Sequence, residues 1–204
     1  MGVIDHLVYA VPDVAAACDE LERDWGVRPT PGGRHPGRGT HNALLDLAGG
    51  CYLEVIGPDP SQPDPAGPRP FGIDALAGPG LVTWAVPAPG IEDRAVRARA
   101  QGFDPGPVTA MSRTRPDGVR LDWKLTGPDG AGTVPFLIDW GGTPHPTADL
   151  PEGCRLVRFR AEHPHPELVE PALLALGVEL ELQAGPRPCL VASVETPRGS
   201  RELT

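Results

Sequence analysis

The sequence predicts an α+β fold built from tandem β-α-β-β-β modules. Two of them pair into a cupped mixed sheet, and a third, shorter one follows. Two observations carry this. A short apolar run, a proline stop, a helical apolar stripe and a glycine restart occur in that order three times. The intervals Pro12–Gly26, Pro87–Gly102 and Pro164–Gly177 differ in length by no more than two residues. Gly and Pro number 26 and 27 of 204 residues, but they fall between periodic apolar segments and so punctuate turns.

The first module spans 3–57. "IDHLVYAV" is an apolar strand stopped at Pro12, and Asp13 is a suitable helix N-cap. Val14, Ala17, Cys18, Leu21 and Trp25 recur at helical spacing, Gly26 sits at the C-cap, and Val27 restarts the chain. "GGRHPGRGTHN" reads as a Gly-rich loop before the strands "THNALLDL" and "CYLEVIG", which join through Ala48-Gly49-Gly50. Counting back from that turn sets Leu45 about opposite Glu54. The second module, 80–146, repeats the pattern from "GLVTWAVP", with Ile91, Ala95 and Ala98 as its helical stripe. "VRLDWKLTGPDG" and "TVPFLIDWGG" supply strands and a Gly-containing turn. The third, 153–204, has "CRLVRFRAEHP", a helix ending at Gly177 with Pro171 in its first turn or at a kink, and three short strands.

A formal net charge of −9 argues against a nucleic-acid or anionic-membrane partner. Lys124 is the only lysine, and the Arg, Ala, Gly and Pro bias fits a GC-rich, bacterial genome. Four widely spaced cysteines without a CxxC pair suit a reducing compartment. With no leader and no membrane-length apolar run, the expected location is cytoplasmic.

Several polar residues stand out. His6 lies inside an apolar strand, either as a hydrogen-bonded core histidine or as a ligand facing a cavity. Glu54, between Leu53 and Val55, is either a solvent-facing edge residue or a carboxylate that needs a partner. The two could also simply hydrogen-bond. Strand parity puts Tyr52 on the face of Glu54. Arg34, His35, Arg38, His41 and Asn42 crowd the Gly-rich segment and could grip an anionic oxygen, or could be an ordinary solvated hairpin. Trp84, Trp123 and Trp140 could line an apolar pocket or belong to the sheet core. No nucleophile elbow is present.

The repeated module, opening with "DHLVYAV" and closing with "YLEVIGP", resembles the vicinal-oxygen-chelate superfamily. The stretches "GRHPGRGTHNALLDLAGGCYLEVIGPDP" and "PFLIDWGGTPHP" are similar to its glyoxalase-like domain proteins. The resemblance implies a divalent ion, Fe(II), Mn(II), Zn(II) or Ni(II), on His6 and Glu54. In the second module the same positions fall on Leu81 and Ile138, so two ligands alone would hold the ion weakly. His35, His41 and His145 are further ligand candidates. The implied activity is metal-assisted isomerase, lyase or dioxygenase chemistry on a small oxygen-chelating substrate. His41 or His35 would be the acid–base group, with Arg34, Arg38, Asn42, Tyr52, Trp84 and Trp123 binding substrate. The alternative is a metal-free protein that sequesters a small molecule. A third module with an unpaired apolar face would favour a homodimer.

Overall fold

The structure, a computed structural model, describes residues 3–115, 117–127 and 132–204. The first module folds as β1 (His6–Ala10), α1 (Val14–Trp25), β2 (Thr30–His35), β3 (Thr40–Asp46) and β4 (Tyr52–Pro58). The second comprises β5 (Gly80–Pro87), α2 (Ile91–Ala100), β6 (Val108–Thr114), β7 (Arg120–Thr126) and β8 (Phe136–Asp139). After them come β9 (Arg155–His163), α3 (Glu170–Leu176), β10 (Glu181–Ala184), β11 (Cys189–Thr196) and β12 (Gly199–Leu203). Part of the Gly-containing turn expected after β7 lies outside the described residues.

The first eight strands close into a barrel in the order β1-β4-β3-β2-β6-β7-β8-β5. Each module contributes a first-fourth-third-second run, with β1 parallel to β4 and β5 parallel to β8. The modules join where β1 runs antiparallel to β5 and where β2 meets β6 through the pair Arg34 and Thr114. The C-terminal sheet has the order β10-β9-β11-β12. Its β-α-β-β-β element order therefore repeats that of the modules, while its strand pairing does not.

Local chemistry sets the element ends. The Asp13 carboxylate accepts from the Ala16 amide at 3.0 Å, and Gly26 closes α1 in the left-handed region at φ 84°. Pro171 stands in the first turn of α3, where its missing donor costs nothing. Two expectations need correction. The segment read as a Gly-rich loop is a strand, a tight turn and the start of a second strand. The loop after β3 centres on Gly49, so Leu44 rather than Leu45 pairs with Glu54.

Alternation along the strands creates two apolar clusters. Leu7, Leu45, Leu53, Trp84 and Leu137 face outward and pack with α1, α2 and the C-terminal sheet, where Phe159, Ala161, Leu190 and Ala192 meet them. The apolar face of that sheet, expected to seek a second copy, is thus covered within the chain. Val8, Ala10, Ile56, Ala85, Trp123, Phe136 and Ile138 face the barrel interior. No helix among the described residues is long and apolar enough to cross a membrane.

The β2–β6 seam depends on glycine. Gly33 has φ 145°, and a Cβ there would lie 2.5 Å from the Thr114 carbonyl oxygen. A Gly33→Ala change should therefore cost about 1–3 kcal/mol of unfolding free energy. Gly37→Ala, also at positive φ but with nothing within 4 Å, should cost less. Urea unfolding of both variants checks the difference; equal losses would mean that the seam contact is not what Gly33 protects.

Candidate functional site

The barrel interior holds a narrow cavity of about 60 Å³ that opens to solvent. Because β1, β3 and β4 present alternate residues inward, His6, Asn42, Tyr52, Glu54 and Ile56 line one side. Met111, Arg113, Trp123, Leu125, Phe136 and Ile138, from the second module, line the other. The cavity is polar on the first module's wall and mainly apolar on the second's.

His6 is the centre of the polar wall. Its Nδ1 is 2.7 Å from Asp5 Oδ1, and its Nε2 is 3.7 Å from Glu54 Oε2. The ring stacks on Tyr52 with centroids 4.7 Å apart. Both His6 and Glu54 are buried, so Glu54 is not a solvent-facing edge residue, and His6 is a hydrogen-bonded histidine of the cavity wall. Glu54 Oε1 accepts from the Asn42 amide at 2.6 Å, and His35 Nε2 stands 4.0 Å from the same oxygen.

Asp5 is 2% exposed and receives three groups. Besides His6, Trp140 Nε1 donates to Oδ2 at 3.1 Å and His145 Nε2 lies 3.3 Å from the same oxygen. Burial alone would raise the Asp5 pKa. Hydrogen bonds from His145 and His6, and their charge, outweigh it and hold the group at about 2. His35 is pushed below the usual histidine range, first by burial and then by the charges of Arg113, His41 and Arg38, against the attraction of Glu54. Its Nδ1 lies 3.0 Å from Thr40 Oγ1. Burial also raises Tyr52 well above the ordinary phenol range, so its hydroxyl stays protonated.

Of the residues expected to form a site, His6, His35, Arg38, Asn42, Tyr52, Glu54 and Trp123 meet in this cavity. Three do not. His41 and Arg34 are cross-strand partners on the outer face, where Arg34 Nε approaches Asp59 at 3.5 Å. The one-residue parity difference from Asn42 and His35 turns them away. Trp84 is outside too: it donates to the Thr133 carbonyl at 2.9 Å and packs edge-on against Phe159. Leu81 packs in the outer cluster, since a register shift interrupts the β1–β5 ladder between Val8 and Tyr9. Ile138 does line the cavity, in the apolar wall that faces Glu54's side.

Neither Asp5 nor Arg113 is assigned from the sequence, whereas His145 and Trp140, a candidate ligand and a candidate pocket aromatic there, both reach the site. Asp5 carried a signal, being a carboxylate beside His6 in an apolar strand. His145 and Trp140 reach Asp5 only through the loop after β8, a contact no periodicity reports.

A closed barrel of two β-α-β-β-β units joined through their first strands, with polar groups on its inner wall, is the architecture of the vicinal-oxygen-chelate class. Residues 4–177 match the model of the glyoxalase-like domain, and the chain belongs to that family. Among solved structures, a hypothetical protein from Staphylococcus aureus superposes with a TM-score of 0.62 at 11% identity, over 99% of this chain and 85% of that one. It shares the fold. A methylmalonyl-CoA epimerase from Mycobacterium tuberculosis matches 72% of this chain and 90% of its own at 22% identity and a TM-score of 0.44. A hypothetical protein from Bacillus halodurans matches 70% of this chain and 97% of its own at 16% identity and a TM-score of 0.47. Comparison with curated proteins finds no match.

The Asp5 cluster makes a pH prediction. A carboxylate held at about 2 rather than 3.8 stabilises the fold above the unfolded value and loses that contribution as pH falls through the folded one. At neutral pH, Asp5→Asn should be less stable than the parent by about 2 kcal/mol. The gap should close as pH falls from 3.8 towards about 2. Unfolding curves across that range test this; a gap independent of pH would remove the charge from the explanation.

Proposed function

We propose that the chain is a small-molecule enzyme of the isomerase or lyase kind that moves a proton at carbon beside a substrate carbonyl. The observation that supports it is the array Asp5–His6–Glu54, set at 2.7 and 3.7 Å in the wall of an otherwise largely apolar barrel. Glu54 is the group to take the proton, since its carboxylate lies in the cavity wall, oriented by the Asn42 amide and beside His6 Nε2. Asp5 fixes the His6 ring through Nδ1, which leaves Nε2 as the nitrogen beside Glu54 to accept or return a proton. The protonated Tyr52 hydroxyl can donate to the oxygen on which charge develops.

A divalent ion is what the superfamily implies, and His6 and Glu54 are suitable donors. Among the described residues, however, no three His, Cys, Asp or Glu side chains converge to hold one. The opposite wall offers Phe136 and Ile138, and Asn42 already occupies one Glu54 oxygen. The donor set is half of a metal site, so the proton transfer is assigned to protein groups alone.

The apolar wall also favours a second reading, sequestration of a ligand without turnover. Hydrogen–deuterium exchange at the carbon next to the carbonyl, followed by NMR for a panel of neutral and anionic ketones, separates the two. The parent should accelerate exchange of at least one member, and Glu54→Gln should lower that rate by about 100-fold or more. Binding without any difference in exchange between the two proteins would favour sequestration. Elemental analysis of tag-free parent, His6→Ala and Glu54→Gln runs beside it. Stoichiometric metal in the parent, lost in both variants, would return an ion to the site.

A further inference from the structure

The cavity contains two guanidinium groups that have no carboxylate partner among the described residues. Arg113 is only 4% exposed, yet the hydrogen bond it makes within the described residues is from Nη1 to the Gly32 carbonyl. A guanidinium carries five N–H donors, and a buried one without a counter-ion is costly. Arg38 also lines the cavity, and within the described residues it donates to the Met111 thioether at 3.6 Å, a weak acceptor. Both cations act on His35, which lies among them. The Glu54 charge acts on Arg113, but Glu54 is not in an ion pair with it and is committed to Asn42 and His6. The aromatic side chains Trp123, Trp140, Phe71 and Phe136 form the apolar surface of the same cavity.

We infer that Arg113, assisted by Arg38, anchors a carboxylate of the ligand, and that the natural substrate is a monoanionic organic acid with a flat apolar body lying against Trp123 and Phe136. This rests on the barrel interior being the ligand site and names the substrate class for it. The chemistry is local: the chain as a whole carries a net charge of −9, so long-range attraction supplies nothing, and recognition comes from desolvated, forked hydrogen bonds inside the barrel. Burial lowers the Arg113 pKa from its ordinary value, the direction expected for a cation that an incoming anion would relieve.

Benzoate and its neutral isostere benzamide are the probes, with tryptophan fluorescence as the readout because Trp123 and Trp140 both face the cavity. Benzoate should bind the parent at least about tenfold more tightly than benzamide. Arg113→Gln should abolish that preference, Arg113→Lys should retain part of it, and Arg38→Gln should weaken benzoate several-fold. If Arg113→Gln does not fold, the parent contrast and the Arg38→Gln and Arg113→Lys variants carry the decision. Glu54→Gln should bind benzoate as well as the parent or better, since a negative charge leaves the cavity. Loss of proton exchange with benzoate binding intact would then touch only the proposed reaction. Equal affinity for the two probes, no saturable benzoate binding, or a preference that survives in folded Arg113→Gln would overturn the inference and leave Arg113 as a tie between β6 and β2.

Discussion

The antiparallel pairing of β1 with β5 is the contact on which the remaining architecture depends. It aligns His6 with Ala85 and Leu7 with Trp84, so one ladder fixes which side chains of both modules turn inward. A slip by one residue would send His6 to the helical layer and Leu7 into the cavity. The parallel β1–β4 ladder then carries that choice to Glu54, which stands beside Val8, and the β3–β4 ladder carries it to Asn42 beside Ile56. The site is a consequence of register.

The division of the cavity into a polar and an apolar wall has an electrostatic reason. Asp5 pairs with His6 and Asn42 donates to Glu54 at short range on the first module, which makes their burial tolerable, although Asn42 Oδ1 finds no partner among the described residues. A second buried polar wall opposite them would need its own partners, and the second module supplies Leu125, Phe136 and Ile138 instead. The low-dielectric wall strengthens every interaction across the cavity. It also raises the cost of leaving Arg113 without an anion.

The β-α-β-β-β element order, the caps of α1 and the inward faces of β1 and β4 were legible in the sequence because each is a local pattern. His6 and Glu54 were found for the same reason: a polar residue inside an apolar run needs an explanation. The strands least visible were β2, with its Pro31, Gly32 and Gly33, and β6, with its weakly apolar "VTAMSRT". These two make the seam that closes the barrel. Gly32 and Gly33 look like loop residues, yet a Cβ at Gly33 would meet the Thr114 carbonyl and one at Gly32 the Asn42 side chain. Arg34 was misplaced by that same reading, since a loop has no parity and a strand does, while His41, read at the head of the third strand, is turned outward by the register of β3. Arg113 became visible only when β6 was recognised as a strand, and Trp84 needed the outer sheet to account for its burial.

The segment between the modules is part of the site as well as a connection. Pro70 and Phe71 line the cavity, and Phe71 stacks on Phe136 with centroids 5.9 Å apart. Phe71 holds φ 59°, a left-handed conformation that costs a non-glycine residue about 1–3 kcal/mol. Burying its ring returns a comparable amount, about 1.5–3 kcal/mol, so ring burial by itself does not hold the turn. Arg69 tips the balance: it donates to the Gly39 carbonyl at 3.0 Å and pairs with Asp64 and Asp74 at 2.6 Å. This ties the strap to the β2–β3 turn that also carries Arg38. The position of the Phe71 ring and the placement of the Arg38 guanidinium are therefore set by one linked piece of chain, and a ligand gripped by the second would rest against the first.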